Sequence, residues 1–262
     1  MKNNNHHFVL VHGDCHGAWC WYKVATLLRS ACHKATTLDM AGCGSHHKQA
    51  EEVGTIEDYF KPLMLFMEAL PVAERVILVG HSRGGFDISV AMERFANKIS
   101  AAVFVTAAMP GPDLDFPTVC KEYEGRLDSV MDNQYTYAKG KEKPPTSCLF
   151  GHKFLASKLY QLSPPEDLTL AKCLIRPSPL FDDFHCSTKE TALKKENYGS
   201  VPRIYIVCDQ DKVMKEDMQR WLIGNNLPDE VKVIKGSDHM VMMSKPHELC
   251  SCLQEIGEKY SS

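Results

Sequence analysis

The stretch VILVGHSRGGFDISVAMERF, Val76 to Phe95, runs four apolar residues into a glycine and presents one serine between His81 and Arg83. It then meets two more glycines before an amphipathic run begins. Val76 to Val79 read as a short buried strand, whereas Ile88, Ala91, Met92 and Phe95 recur at helical spacing. The serine therefore sits at a strand-to-helix corner. Gly80-His81-Ser82-Arg83-Gly84 matches G-x-S-x-G, in which a tight, strained turn holds a serine hydroxyl above the edge of a sheet. Flanking glycines are required because a Cβ at either position would collide where strand and helix pack closely.

A serine hydroxyl is a poor nucleophile until a base takes its proton, so the corner calls for a histidine and a carboxylate elsewhere, in the chain order Ser, Asp, His. The catalytic set expected here is Ser82, Asp211 and His239. YIVCDQDK ends a strand-like run in two aspartates, and KGSDHMV places His239 after another. Both groups would emerge at the carboxyl edge beside Ser82. Asp211 is preferred to Asp209 because it lies beyond the last strand residue, in the turn, within reach of an imidazole. Acyl transfer also needs two N–H groups aimed at the developing oxyanion. The strand FVLV ends at His12-Gly13, so the next amide, that of Asp14, is one candidate; the amide of Arg83, directly after the nucleophile, is the other.

Outward from this corner, strand-like and helix-like runs alternate. Phe8–Val11, Lys34–Leu38, Val76–Val79 and Ala101–Val105 read as strands, with helices over Trp19–Ala31, Glu57–Leu70 and Arg83–Phe95. That rhythm predicts an α/β fold, a mostly parallel central sheet flanked by helices on both faces. It stops near residue 110 and resumes with RIYIVCDQD and VKVIKGSDH, followed by a last amphipathic helix over Pro246–Tyr260. Residues 1–110 and 200–262 are therefore expected to form the core, and 111–199, with proline-rich joints and no convincing strand, a helical cap insertion. The substrate pocket is expected from Gly13, His16 and His81 at the sheet edge, Met240 beside the histidine, and Phe150, Leu159, Tyr160 and Phe181 of the insertion.

Composition narrows the partners. In 262 residues with a formal charge of -3, there is no electrostatic case for nucleic acid or an anionic membrane surface. No apolar run approaches the ~20 residues of a bilayer span. The eleven cysteines are scattered without a C-x-x-C, and the first residues carry no secretory pattern, so a cytoplasmic chain with free thiols is expected. The doublets His6-His7 and His46-His47 lack acidic or cysteine partners at ligand spacing, so no metal and no cofactor is expected. Small or neutral molecules are the expected partners.

HFVLVHGDCHGAWCWYK, the corner itself, KLYQLSPPEDLTLAKCLIRPSPLF, YGSVPRIYIVCDQDK and KGSDHMVMMSKPHELC together resemble the plant methylesterase and hydroxynitrile lyase family of α/β-hydrolases over nearly the whole chain. The resemblance implies hydrolysis of the methyl ester of a small plant metabolite. The substrate classes it implies are salicylate and jasmonate methyl esters and alkaloid β-oxo (aldehyde) esters, whose freed acids would lose carbon dioxide. It also implies pairing as a homodimer. The lyase branch carries a threonine in the first oxyanion loop, a glutamate before the nucleophile and a lysine after the histidine; here stand Gly13, His81 and Met240, which favours an esterase. A ligand-binding receptor on the same fold is the reading from another class, although a pure receptor has no need of a strained serine.

Two departures from the family stand at the oxyanion hole, where small or apolar side chains are usual and this chain has Asp14 and Arg83. An unpaired carboxylate ~6 Å from a forming oxyanion would repel it by roughly 3 kcal/mol at an effective dielectric of ~20, about a hundredfold in rate. Two arrangements avoid that cost. Either Asp14 and Arg83 form an ion pair lining the pocket, or Asp14 accepts a cationic amine on the substrate.

Overall fold

A computed structural model describes residues 5–181 and 189–260. Six parallel strands form the central sheet: β1 (His7–Val11), β2 (Lys34–Leu38), β3 (Val76–His81), β4 (Ile99–Val105) and, after a long excursion, strands Arg203–Cys208 and Glu230–Ile234, here β8 and β9. Their spatial order is β2-β1-β3-β4-β8-β9. The chain leaves β1 toward one edge and returns to β3 on the other side of β1. Loops after these two neighbours thus diverge and open a crevice at the carboxyl edge, where α/β sheets hold their ligands.

Strands β1, β3 and β4 are buried along their full length, which is why their sequences are continuous rather than alternating apolar runs. Their alternate side chains feed two cores. Phe8, Leu10, Ile77 and Val79 face the helices α1 (Tyr22–Ser30), α8 (Val241–Ser244) and α9 (Pro246–Tyr260), whereas Val9, Val11 and Leu78 pack with α2 (Ile56–Ala69) and α3 (Gly84–Phe95). The N-terminus of α2 is capped by Thr55, whose hydroxyl accepts the Asp58 amide at 3.1 Å. Among the described residues no helix is long and apolar enough to cross a membrane.

Between β4 and β8 lie α4 (Phe116–Gly125), α5 (His152–Phe154) and α6 (Pro165–Leu174), and also a small antiparallel sheet, β5 (Gln134–Thr136), β6 (Ser147–Leu149) and β7 (Ser178–Pro179). The expectation of a segment without strands is corrected here. Strands of three, three and two residues are too short to show a period of two, and Pro179 is tolerated because β7 is an edge strand. The helix α7 (Glu216–Asn225), which the sequence reading left unassigned, follows β8.

Candidate active site

Ser82 has φ +55, the left-handed region that a serine rarely adopts, at the junction of β3 and α3. Neighbouring backbone holds it there: its carbonyl accepts the amides of Gly85 at 3.1 Å and Ala108 at 3.0 Å. The glycines of the corner are dictated by contact. A Cβ on Gly80 would lie 2.6 Å from the Gly84 carbonyl oxygen, and one on Gly84 would lie 2.7 Å from that of His12. Gly13 closes the crevice from the other side, since a Cβ there would come within 2.8 Å of the Ser82 Cβ. The loop after β1 thus lies against the serine.

At the same edge, His239 Nδ1 meets Asp211 Oδ2 at 2.6 Å, with both side chains buried. The carboxylate is fully engaged. Thr106 Oγ1 donates to the same oxygen at 2.5 Å, and the amides of Val213 and Met214 donate to Oδ1 at 2.7 and 2.9 Å. These four contacts fix the carboxylate against the imidazole. Asp209 instead accepts the Gly236 amide at 2.7 Å, outside this cluster. Thr106 was not foreseen, although a hydroxyl directly after β4 at the edge that carries Ser82 was a readable signal.

Ser82 and His239 open on one cavity of about 370 Å³. Phe150 and Phe181 line it as expected residues, along with Asp14 and Arg83. Other expected wall residues lie elsewhere. Leu159 and Met240 are fully buried in the core beside α9. Tyr160 turns its hydroxyl onto His16 Nε2 at 2.7 Å, and His16 Nδ1 faces the Asp14 carbonyl at 2.8 Å, so this stacked pair braces the loop after β1 from behind. Burial lowers the His16 pKa to about 4, keeping the ring neutral. His81 lies beneath the site, where Nε2 donates to the His239 carbonyl at 2.8 Å; burial first, then the nearby His239, holds it well below the usual histidine range. The walls come instead from Val119 and Tyr123 of α4, from Leu127, and from Pro144 and Pro145. Val119 and Tyr123, four apart on one helix, were a legible stripe that went unread.

The charged departures from the family are built into the same site. Arg83 Nη1 donates to Asp14 Oδ1 at 2.7 Å and to the Pro179 carbonyl of β7 at 2.8 Å. Its guanidinium carbon lies 4.2 Å from the Tyr59 ring centroid and 5.6 Å from that of Phe181. Burial alone would lower the Arg83 pKa, but Asp14, Tyr59 and Asp87 outweigh it and raise the value. Of the two arrangements open from sequence, the ion pair is the one present. One turn along α3 sits Asp87, 1% exposed, its carboxylate oxygens without a hydrogen-bond partner among the described residues.

Burial pushes the Asp87 carboxyl up to about 7, against the pull of Arg83. A folded value above the unfolded one favours the protonated native chain, so this contribution is complete below the ordinary carboxylate range and is lost as pH rises through 7. Asp87→Asn removes the penalty. It is expected to stabilise the fold by on the order of 4 kcal/mol at pH 8 and about half that at pH 5, measured by urea unfolding at both pH values. An equal gain at both would show that Asp87 does not carry the proton linkage.

The arrangement defines a class. Residues 8–251 match the alpha/beta hydrolase family. The chain is 58% identical over 262 residues to methyl jasmonate esterase 1 of Vitis vinifera, covering all of both chains. Among solved structures it is similar to tomato methylketone synthase I complexed with 2-tridecanone, at 47% identity and TM-score 0.93 over 98% of this chain and 99% of that one. It is also similar to polyneuridine aldehyde esterase, at 42% identity and TM-score 0.90 over 96% and 99%. The chain belongs to the alpha/beta hydrolase family and, within it, to the plant methylesterases, and is a carboxylic ester hydrolase.

Proposed function

We propose that the chain is a serine esterase that hydrolyses the methyl ester of a small, largely apolar plant metabolite, with residues 111–199 serving as a cap over the pocket. Ser82 attacks the ester carbonyl while His239 takes its proton, and Asp211 orients the ring and stabilises the imidazolium. The amides of Asp14 and Arg83 hold the tetrahedral oxyanion. Methanol leaves as His239 returns the proton, and water activated by the same histidine frees the acid. The observation that carries this reading is the 2.6 Å contact between Asp211 and His239 on the cavity that Ser82 shares.

The similarity to methyl jasmonate esterase 1 supports a jasmonate-type ester as substrate. A second reading, a β-oxo ester whose acid then decarboxylates, draws on polyneuridine aldehyde esterase and on the methyl ketone held by the tomato relative. Loss of carbon dioxide from a β-oxo acid needs no further group from the protein. A lyase reading is disfavoured, because Met240 is a core residue and the cavity's cation, Arg83, is committed to Asp14 and Pro179.

A panel of methyl esters, including jasmonate, salicylate and a β-aldehyde ester, tests the reading with methanol and carbon dioxide measured separately. Methanol should appear with equimolar acid from at least one ester, and from the β-oxo ester carbon dioxide should follow methanol. A chain that binds these esters tightly, releases no methanol and gives no burst with p-nitrophenyl acetate is a receptor, and the esterase reading fails.

A further inference from the structure

The carboxylate and the two aromatic rings that stand together beside Ser82 are occupied by the protein's own cation. A carboxylate and aromatic faces are what bind an ammonium group. Here Asp14 supplies the carboxylate, 30% exposed at its side chain, Phe181 on the cavity wall supplies one ring, and Tyr59, buried beneath Arg83, supplies the other. Arg83, with its side chain 6% exposed, lies over both rings, bonds Asp14 at 2.7 Å and is anchored to the cap through the Pro179 carbonyl. A charge brought near Asp14 meets the guanidinium at nearly the same distance, so attraction and repulsion cancel while the cost of removing the cation from water remains. The other charged or titratable groups facing the cavity do not replace what is lost. Glu124 lies exposed at its surface, the His239 ring is turned to Asp211, burial pushes the Cys120, Tyr123 and Tyr135 pKa values up so that these groups stay uncharged, and Cys148 is buried. Asp87 is not part of the lining and sits behind Arg83.

We infer that Arg83 is a specificity-determining residue: by filling an aromatic and carboxylate cage with its own guanidinium, it restricts this esterase to neutral esters and rejects those carrying an amine cation. The inference rests on the esterase reading and sharpens it. Amine-bearing alkaloid esters are excluded as substrates, whereas uncharged β-oxo esters stay within range. The anchor is a backbone carbonyl and the rings belong to two different segments, so the cage is set by the folded cap together with α2 rather than by one mobile loop.

Two isosteric substrates separate the charge from the shape: methyl 3-cyclohexylpropanoate and methyl 3-(piperidin-1-yl)propanoate, the second protonated at pH 7. The wild-type chain is expected to prefer the neutral ester in kcat/KM by about a hundredfold or more. Arg83→Ala vacates the cage and frees Asp14, and the preference should narrow at least tenfold or reverse. Arg83→Met, which keeps the volume, guards against misfolding of the alanine variant and should shift the ratio the same way. Adding Asp14→Asn to either variant should restore the preference for the neutral ester, a recovery that loss of packing alone would not give. The corresponding N-methylamides, compared by ligand-induced thermal shift, report the same selectivity without turnover. A wild-type ratio within threefold of unity, or a ratio unmoved by both Arg83 variants, overturns the inference. Absence of methanol from both esters, with the amides still ranked as expected, overturns only the esterase reading.

Discussion

Ser82→Ala is expected to lower kcat for ester hydrolysis by about 10⁵- to 10⁶-fold while ligand affinity changes little, because in the proposed mechanism the hydroxyl is the atom that bonds to the acyl carbon. The cavity keeps its walls in this variant, and alanine relieves part of the demand that φ +55 places on the corner only if the turn relaxes. The check is a pair of measurements on one preparation: acid release from the best ester of the panel, and the thermal shift that the corresponding acid induces. Hydrolysis that survives within tenfold would remove Ser82 from the chemistry. Since the other groups of the site act through the serine, any further loss from adding His239→Ala to this variant should be small.

Asp211→Asn is the second large effect, and its cause differs. The carboxylate accepts from His239, from Thr106 and from two backbone amides, so all its capacity is used. An amide nitrogen in place of Oδ2 would present a donor to the Thr106 hydroxyl and would force His239 Nδ1 to become the acceptor, leaving the proton on Nε2. That is the wrong tautomer for a general base, and a loss in kcat of about 10⁴-fold is expected with KM changed by only a few-fold. Added formate, which restores a free carboxylate, should recover part of the activity of Asp211→Ala and none of that of Asp211→Asn, whose amide fills the site. Thr106→Val separates orientation from charge: it deletes one donor, keeps the carboxylate beside His239 and should cost no more than about tenfold. If Asp211→Asn retains more than a tenth of the activity, the buried pair is structural.

The central sheet was legible because β1, β3 and β4 are buried on both faces, and burial on both faces leaves uninterrupted valine, leucine and isoleucine runs in the sequence. The corner was legible for a steric reason, as Gly80 and Gly84 stand where main chain approaches main chain. Asp211 could be separated from Asp209 by counting outward from the strand. The pocket wall could not be read with the same success. Tyr160 and Leu159 belong to a segment rich in apolar residues, but which face of such a segment meets the core and which meets the cavity depends on how the insertion docks, and no local period records that. The partner of Tyr160 is His16, 144 positions earlier in the chain. The short strands β5 to β7 were hidden by their length and by Pro179, which in a longer strand would argue against pairing. Arg83 and Asp14 could be foreseen as a pair, but the rings of Tyr59 and Phe181 that enclose the guanidinium come from distant segments.

The insertion leaves the sheet after β4 and rejoins it at β8, and these two strands are hydrogen-bonded neighbours, with Ala102 paired to Arg203 and Val105 to Ile206. Its two ends therefore start side by side, so lengthening or exchanging what lies between them asks almost nothing of the scaffold. The clasp from Arg83 grips a main-chain oxygen of β7, which any amino acid would provide. Selection can thus rewrite the lining of the chamber in a descendant lineage, altering which metabolite is admitted, while the cutting apparatus beneath is inherited unchanged.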